Sequence, residues 1–119
     1  MAAIAARFRG PPGVGNGGYV AGRMAALLGR QPVEVTLRRG WPLDVPLEVV
    51  RGEDRVEARD AAGQVVAEAR PVDFTLDVPA PPSLAEAAEA TRWFLDGPFS
   101  HSEGQCFVCG SALAEGVGA

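Results

Sequence analysis

Gly10-Pro-Pro-Gly-Val-Gly-Asn-Gly-Gly-Tyr-Val-Ala-Gly-Arg-Met-Ala-Ala-Leu-Leu28 is the stretch on which the reading of this chain turns. Its first half is too rich in glycine and proline for regular structure. Its second half, residues 18–28, predicts a helix with a single charge, Arg23. Gly29 stands at the stop position and Pro32 prevents continuation. Tyr19, Met24, Leu27 and Leu28 supply bulk, while Ala21, Gly22, Ala25 and Ala26 leave a smooth surface that a sheet can approach closely. With almost no polar face, this helix is expected to be buried on nearly every side. The junction at Asn16-Gly17-Gly18 leaves backbone N–H groups free at a helix start, where they can hold a carbonyl oxygen or an anion.

Outward from this segment the pattern changes to period two. Residues 3–9 read as a short first strand, with Ile4, Ala6 and Phe8 on one face. After Pro32, Val33, Val35 and Leu37 alternate with Glu34, Thr36 and Arg38, as in a half-buried strand. Gly40-Trp41-Pro42 interrupts it. Residues 45–51 form the next expected strand, with Leu47 and Val49 inward. Residues 55–60 follow with Val56 and Ala58 on the apolar side, and 64–74 make a long closing strand. Short turns at 52–54 and 61–63 join these strands into an antiparallel meander. Val78-Pro-Ala-Pro-Pro82 is a proline linker, dividing a domain at 1–78 from a tail at 79–119. Ser83-Leu-Ala-Glu86 is a capping box that predicts a helix from Leu84 to about Leu95. Trp93 and Phe94 give that helix an apolar patch in need of a docking surface. No clear period continues beyond Phe99.

Composition narrows the function classes. The 119 residues carry 47% hydrophobic and 22% charged side chains, the proportions of a soluble globular domain. No apolar run approaches a membrane span, and the first residues lack the pattern of a signal peptide, so a cytoplasmic location is expected. The net charge of −4 argues against a nucleic-acid partner. All eleven basic residues are Arg, which removes lysine nucleophiles and Schiff bases. The same absence excludes a P-loop, and the meander after the glycine loop argues against a dinucleotide site. No cofactor is expected.

The order of one strand, an apolar helix and a meander resembles the hotdog fold, an α+β architecture in which a curved antiparallel sheet wraps around one central helix. The Asn16-Gly17-Gly18 turn and its helix resemble the His-Gly-Gly-plus-helix segment of hotdog acyl-CoA thioesterases. Val33-Glu-Val-Thr-Leu-Arg-Arg-Gly-Trp-Pro-Leu43 resembles their strand crossing into a proline-containing bend. The pattern, over roughly residues 3–78, is similar to the first unit of the tandem-hotdog group related to acyl-CoA thioesterase II, and Cys106-Phe-Val-Cys-Gly110 resembles the entry to a second unit. Asn16 stands where the family often has His, and no carboxylate lies between Asn16 and Glu34. The resemblance implies an acyl-CoA or other acyl-thioester ligand, hydrolysed or bound at the interface of a homodimer. The chain is then a truncated relative, a half that pairs with itself, or a non-catalytic descendant serving as an acyl-binding or assembly domain.

The residues themselves support part of this chemistry. Backbone donors at Gly17 and Gly18 suit a carbonyl oxygen gaining charge, and Asn16 either orients water or caps the helix. Tyr19, Arg38 and Arg39 are the substrate-binding candidates, the arginines for the phosphates of CoA. For a base the sequence offers only Asp44, Glu48 and Asp73 near strand ends and the lone His101. Cys106 and Cys109, with His101 nearby, supply at most three zinc ligands, so a closed site requires a second chain. A zinc-assisted interaction protein therefore stays open beside two plain reduced thiols.

Overall fold

The computed structural model describes residues 1–29, 32–97 and 104–110. Helix α1 (Gly17–Leu28) is followed by strands β1 (Val33–Leu37), β2 (Glu48–Arg51), β3 (Val56–Arg59) and β4 (Val65–Pro71), and by helix α2 (Leu84–Asp96). The four strands form one antiparallel sheet in the order β1-β4-β3-β2. The protein is thus α+β, with an antiparallel sheet and two helices. No helix of the described residues is long and apolar enough to cross a membrane.

The strands follow the period-two pattern, and β2, β3 and β4 form a meander because each turn is short. Asp60 closes the β3–β4 turn by accepting the N–H groups of Ala62 and Gln64 on its carboxylate, and Gly63 takes the positive φ the turn requires. β1 pairs with the far side of β4, from Val33 opposite Pro71 to Leu37 opposite Ala67. Residues 38–47 therefore carry the chain from one sheet edge to the other.

Helix α1 lies across β1, β4 and β3. Val20 and Met24 enter a core shared with Ile4, Trp41, Leu47, Val56, Ala58, Val66, Ala67 and Ala69. Alanines under the helix let its backbone come close to the sheet. Gly29 ends the helix in the left-handed conformation and donates its N–H to Ala25.

Several expectations are corrected. The segment 3–9 is not a strand. Ala2 and Ile4 make single bridges to Leu47 and Leu43, and Ala6–Phe8 is a 3-10 turn. The Asp44 carboxylate accepts the Ala6 N–H at 3.1 Å, so a side chain takes the bond that strand pairing would use. Ile4 is buried but Ala6 is exposed. Helix α1 is not buried all round: the sheet covers one side, and Gly18, Gly22, Arg23 and Ala26 face outward.

Strict alternation also fails at two places. In β3, Glu57 is buried along with Val56 and Ala58, and Arg55 and Arg59 both pair with its carboxylate. In β4, pairing passes from Ala58–Ala67 to Arg59–Val65, leaving Val66 as a bulge residue. Val66 turns inward, and its carbonyl accepts the N–H groups of both Arg38 (2.9 Å) and Arg39 (3.1 Å). Trp41, which reads as a mere interruption in the sequence, is among the largest fully buried side chains, and its Nε1 has no partner among the described residues.

Helix α2 forms as its capping box dictates: Ser83 Oγ accepts the Glu86 N–H, and the Glu86 carboxylate accepts the Ser83 N–H. Yet none of its residues is buried, and Leu84, Trp93 and Leu95 are exposed. The expected docking of Trp93 and Phe94 does not occur among the described residues.

Candidate functional site at the start of helix α1

The loop before α1 is held by backbone contacts that only a glycine-rich segment permits. Gly10 donates to Val14, Gly15 to Trp41 at 2.8 Å, and Asn16 to Phe8 at 2.8 Å. A Cβ at Gly10 would come within 2.9 Å of the Asn16 Cα, so the two backbone runs touch. Trp41 is thus the platform under the loop.

Asn16 is the N-cap. Its Oδ1 accepts the Tyr19 N–H at 3.0 Å, and its backbone carbonyl accepts the Val20 N–H. The N–H groups of Gly17 and Gly18 have no acceptor among the described residues. Two donors therefore converge at the positive end of a 12-residue helix. The end of β1 lies beside them: a Cβ on Gly17 would sit 3.2 Å from Leu37 Cδ1, and Leu37 is exposed.

The tail comes to the same place. Phe107 donates its N–H to Arg9 at 2.9 Å, and Arg9 Nε donates to the Gln105 carbonyl at 3.0 Å. Phe8 stacks on Tyr19 with centroids 3.8 Å apart, and Phe107 meets both rings edge-on. Tyr19 thereby serves to hold segment 104–110 on the loop. Buried Cys106 reaches the cap itself, its Sγ accepting from Asn16 Nδ2 at 3.4 Å. Burial pushes the Cys106 thiol up. The backbone N–H groups of Cys109 and Val108, the Cys109 side chain and the Asn16 amide outweigh that effect and hold it below its usual value. Cys109 is exposed, and neither cysteine is in a disulfide.

The other candidates lie elsewhere. Arg38 is turned to Glu68, to which it donates from Nε at 2.9 Å. It lines an open cavity of about 270 Å³ with Glu34, Arg55 and Arg70 on the charged sheet face. Arg39 is exposed and has no acidic partner among the described residues. Asp44 is committed to Ala6, and Glu48 and Asp73 are exposed. His101 lies outside the described residues, so the structure brings together Asn16, Gly17, Gly18, Tyr19 and Cys106 but no acid or imidazole.

Sequence reasoning singled out Cys106 and Asn16 separately and missed their contact across ninety positions. Phe8 and Phe107 were also missed as the clamp that makes the contact. The signal was indirect: a glycine after the second cysteine. Comparison with models of known protein families, with curated proteins and with solved structures returned no match for this chain.

Proposed function

We propose that this chain is a hotdog-type domain that holds an acyl thioester by its carbonyl oxygen at the start of α1. The observation that carries this reading is the pair of unpartnered N–H groups at Gly17 and Gly18 on a helix packed across an antiparallel sheet. Donors fixed in this way stabilise a carbonyl oxygen, and more so as it gains negative charge. Exposed Leu37 beside Gly17 offers the apolar contact an acyl chain needs. Arg39, two residues further along, is the better placed cation for a phosphate, since Arg38 is already paired with Glu68. A second copy covering the outward face of α1, with Gly18, Gly22 and Ala26, would complete the pocket as a homodimer.

Within this reading, binding without hydrolysis is favoured over turnover. No carboxylate or imidazole hydrogen-bonds to Asn16, Gly17 or Gly18 among the described residues. Cys106 Sγ, which accepts the Asn16 amide, is buried.

Gly17→Pro tests the reading cleanly. It removes one donor at the first helical position, where proline is tolerated, and Asn16 already has the extended ψ of 130° that a following proline demands. The variant is expected to fold, with the Leu37 side chain shifting a few tenths of an ångström from the new Cβ. Saturable binding of a panel of acyl-CoA esters should weaken at least tenfold. Hydrolysis assayed on the same panel separates an acyl-binding domain from a thioesterase. Wild-type protein that binds no acyl-CoA at millimolar concentration rules the proposal out.

A further inference from the structure

We propose that residues 104–110 form a strap that opens and closes as one unit while the core stays folded, and that in closing it fixes the N-cap of α1. The strap is tied to itself before it is tied to anything else. Gly110 donates its N–H to the Cys106 carbonyl at 2.8 Å. A Cβ at Gly110 would meet that carbonyl oxygen at 2.4 Å and the Gly104 oxygen at 2.5 Å, so only glycine lets the turn close. A segment closed in this way lifts and returns as a body.

Its seat is narrow. Phe107 donates its N–H to the Arg9 carbonyl at 2.9 Å, and Arg9 Nε donates to the Gln105 carbonyl at 3.0 Å. The Phe107 ring meets Phe8 and Tyr19 edge-on, with centroids 5.4 and 5.8 Å from theirs. Cys106 is the one buried residue of the strap; Gln105, Val108 and Cys109 are exposed. Cys106 and Phe107 also stand outside the core cluster, against which Phe8 and Tyr19 pack as partly buried neighbours. Helix α2, which precedes the strap in the chain, buries nothing. Lifting the strap therefore withdraws no side chain from the core. Segments with so few buried contacts open well below the free energy of global unfolding.

The strap reaches the helix through Asn16. One face of that amide serves α1, Oδ1 accepting the Tyr19 N–H at 3.0 Å. The other serves the strap, Nδ2 donating to Cys106 Sγ at 3.4 Å. The amide cannot turn without losing both bonds, so the closed strap holds the cap in place. Tyr19 doubles the link, since it carries the capped N–H and also touches Phe107 with its ring. None of these contacts involves a ligand of α1, so the strap is independent of acyl-thioester binding.

The test follows alkylation of the reduced full chain by iodoacetamide at urea concentrations below the unfolding transition. Mass spectrometry reads each cysteine, and each rate is divided by that of the same cysteine in the unfolded chain. Exposed Cys109 is the internal control. Cys106 should react about tenfold or more slowly than Cys109, because the strap must open first. Its rate should barely depend on urea, because that opening exposes little surface. Phe107→Ala, a change outside the core, should bring Cys106 close to the Cys109 rate. In the same variant amide exchange should quicken at Tyr19 and stay unaltered at Met24. Equal rates for the two cysteines in the parent would mean that no closed strap exists. A urea dependence of Cys106 labelling as steep as that of global unfolding would mean that the strap does not open alone. Unchanged Tyr19 exchange in Phe107→Ala would mean that the strap does not set the cap. Each of these results overturns the proposal.

Discussion

Helices α1 and α2 are nearly the same length, 12 and 13 residues, and each is capped by a side-chain oxygen that accepts a backbone N–H three residues on. Their fates differ. α1 places Val20 and Met24 in the core, while α2 buries nothing. The cap and the propensity decide that a helix forms; a complementary surface decides whether it contributes to the cooperative fold. α1 is followed at once by a meander whose alanines, Ala58, Ala67 and Ala69, are sized to receive it. α2 follows a run of prolines, and its apolar side chains Leu84, Trp93, Phe94 and Leu95 are all exposed. A helix of its length is marginal alone in water, so α2 depends on its capping box and on whatever covers it.

The largest contrast is expected from truncating one bulky side chain in each helix. Met24 is 0% exposed, and Met24→Ala should cost about 2–5 kcal/mol through lost burial and the cavity left behind. Trp93 is 68% exposed, and Trp93→Ala should change global stability by no more than about 0.5 kcal/mol. Urea unfolding of both variants checks this. A comparable loss in Trp93→Ala would mean that α2 is docked in solution and would erase the distinction.

The caps sharpen the same comparison at smaller scale. Asn16→Ala removes the bond to Tyr19 N–H and the donor to Cys106, and should lower global stability by about 1 kcal/mol. Ser83→Ala removes an equivalent cap of similar local worth, yet its effect should appear only as lost helical ellipticity and faster amide exchange over residues 84–90. The midpoint of global unfolding should not move. If Ser83→Ala shifts that midpoint as much as Asn16→Ala, the two helices belong to one cooperative unit.

What was legible in the sequence divides along the same line. Signals confined to a few neighbouring residues held: the capping box of α2, the glycine stop of α1, the strand at Val33 to Leu37, and the turn at Ala61-Ala62-Gly63. Features that depend on distant partners did not. Residues 3–9 read as a strand because their alternation is correct, but Asp44 claims the Ala6 N–H from thirty-eight positions away. Glu57 reads as outward-facing, and only the two flanking arginines folded onto its carboxylate make its burial tolerable. Val66 reads as an outer residue, and a bulge opposite Ala58 and Arg59 turns it in. At the site, Asn16, Gly17 and Gly18 were legible as a helix start with free donors. The aromatic clamp and the Cys106 contact were not, since nothing in the local pattern ties residue 8 or 16 to residues 106 and 107.

The smallest expected effect concerns two exposed carboxylates, one in each region. The Glu34 carboxyl is held below its ordinary value by the hydrogen bond and charge of Arg70 across the β1–β4 pair. The Glu86 carboxyl is held below its ordinary value by the Ser83 hydroxyl and then by the Ser83 N–H. For both, the folded value lies below the unfolded one. Each contribution is therefore complete above the ordinary carboxylate range and is lost as pH falls through the lowered folded value. Salt screens the Glu34–Arg70 pair, whereas the Glu86 bonds to Ser83 are short-range and persist at high salt. On acidification, α2 should lose ellipticity as Glu86 protonates, while the amides of Ala67 and Ala69 in the sheet stay protected. NMR titration of the two carboxyls, with Arg70→Gln returning Glu34 and Ser83→Ala returning Glu86 to the ordinary range, checks each assignment. Loss of Ala67 protection in step with Glu86 titration would show that the cap of α2 bears on the core, and the separation of the two regions would fail at its finest point.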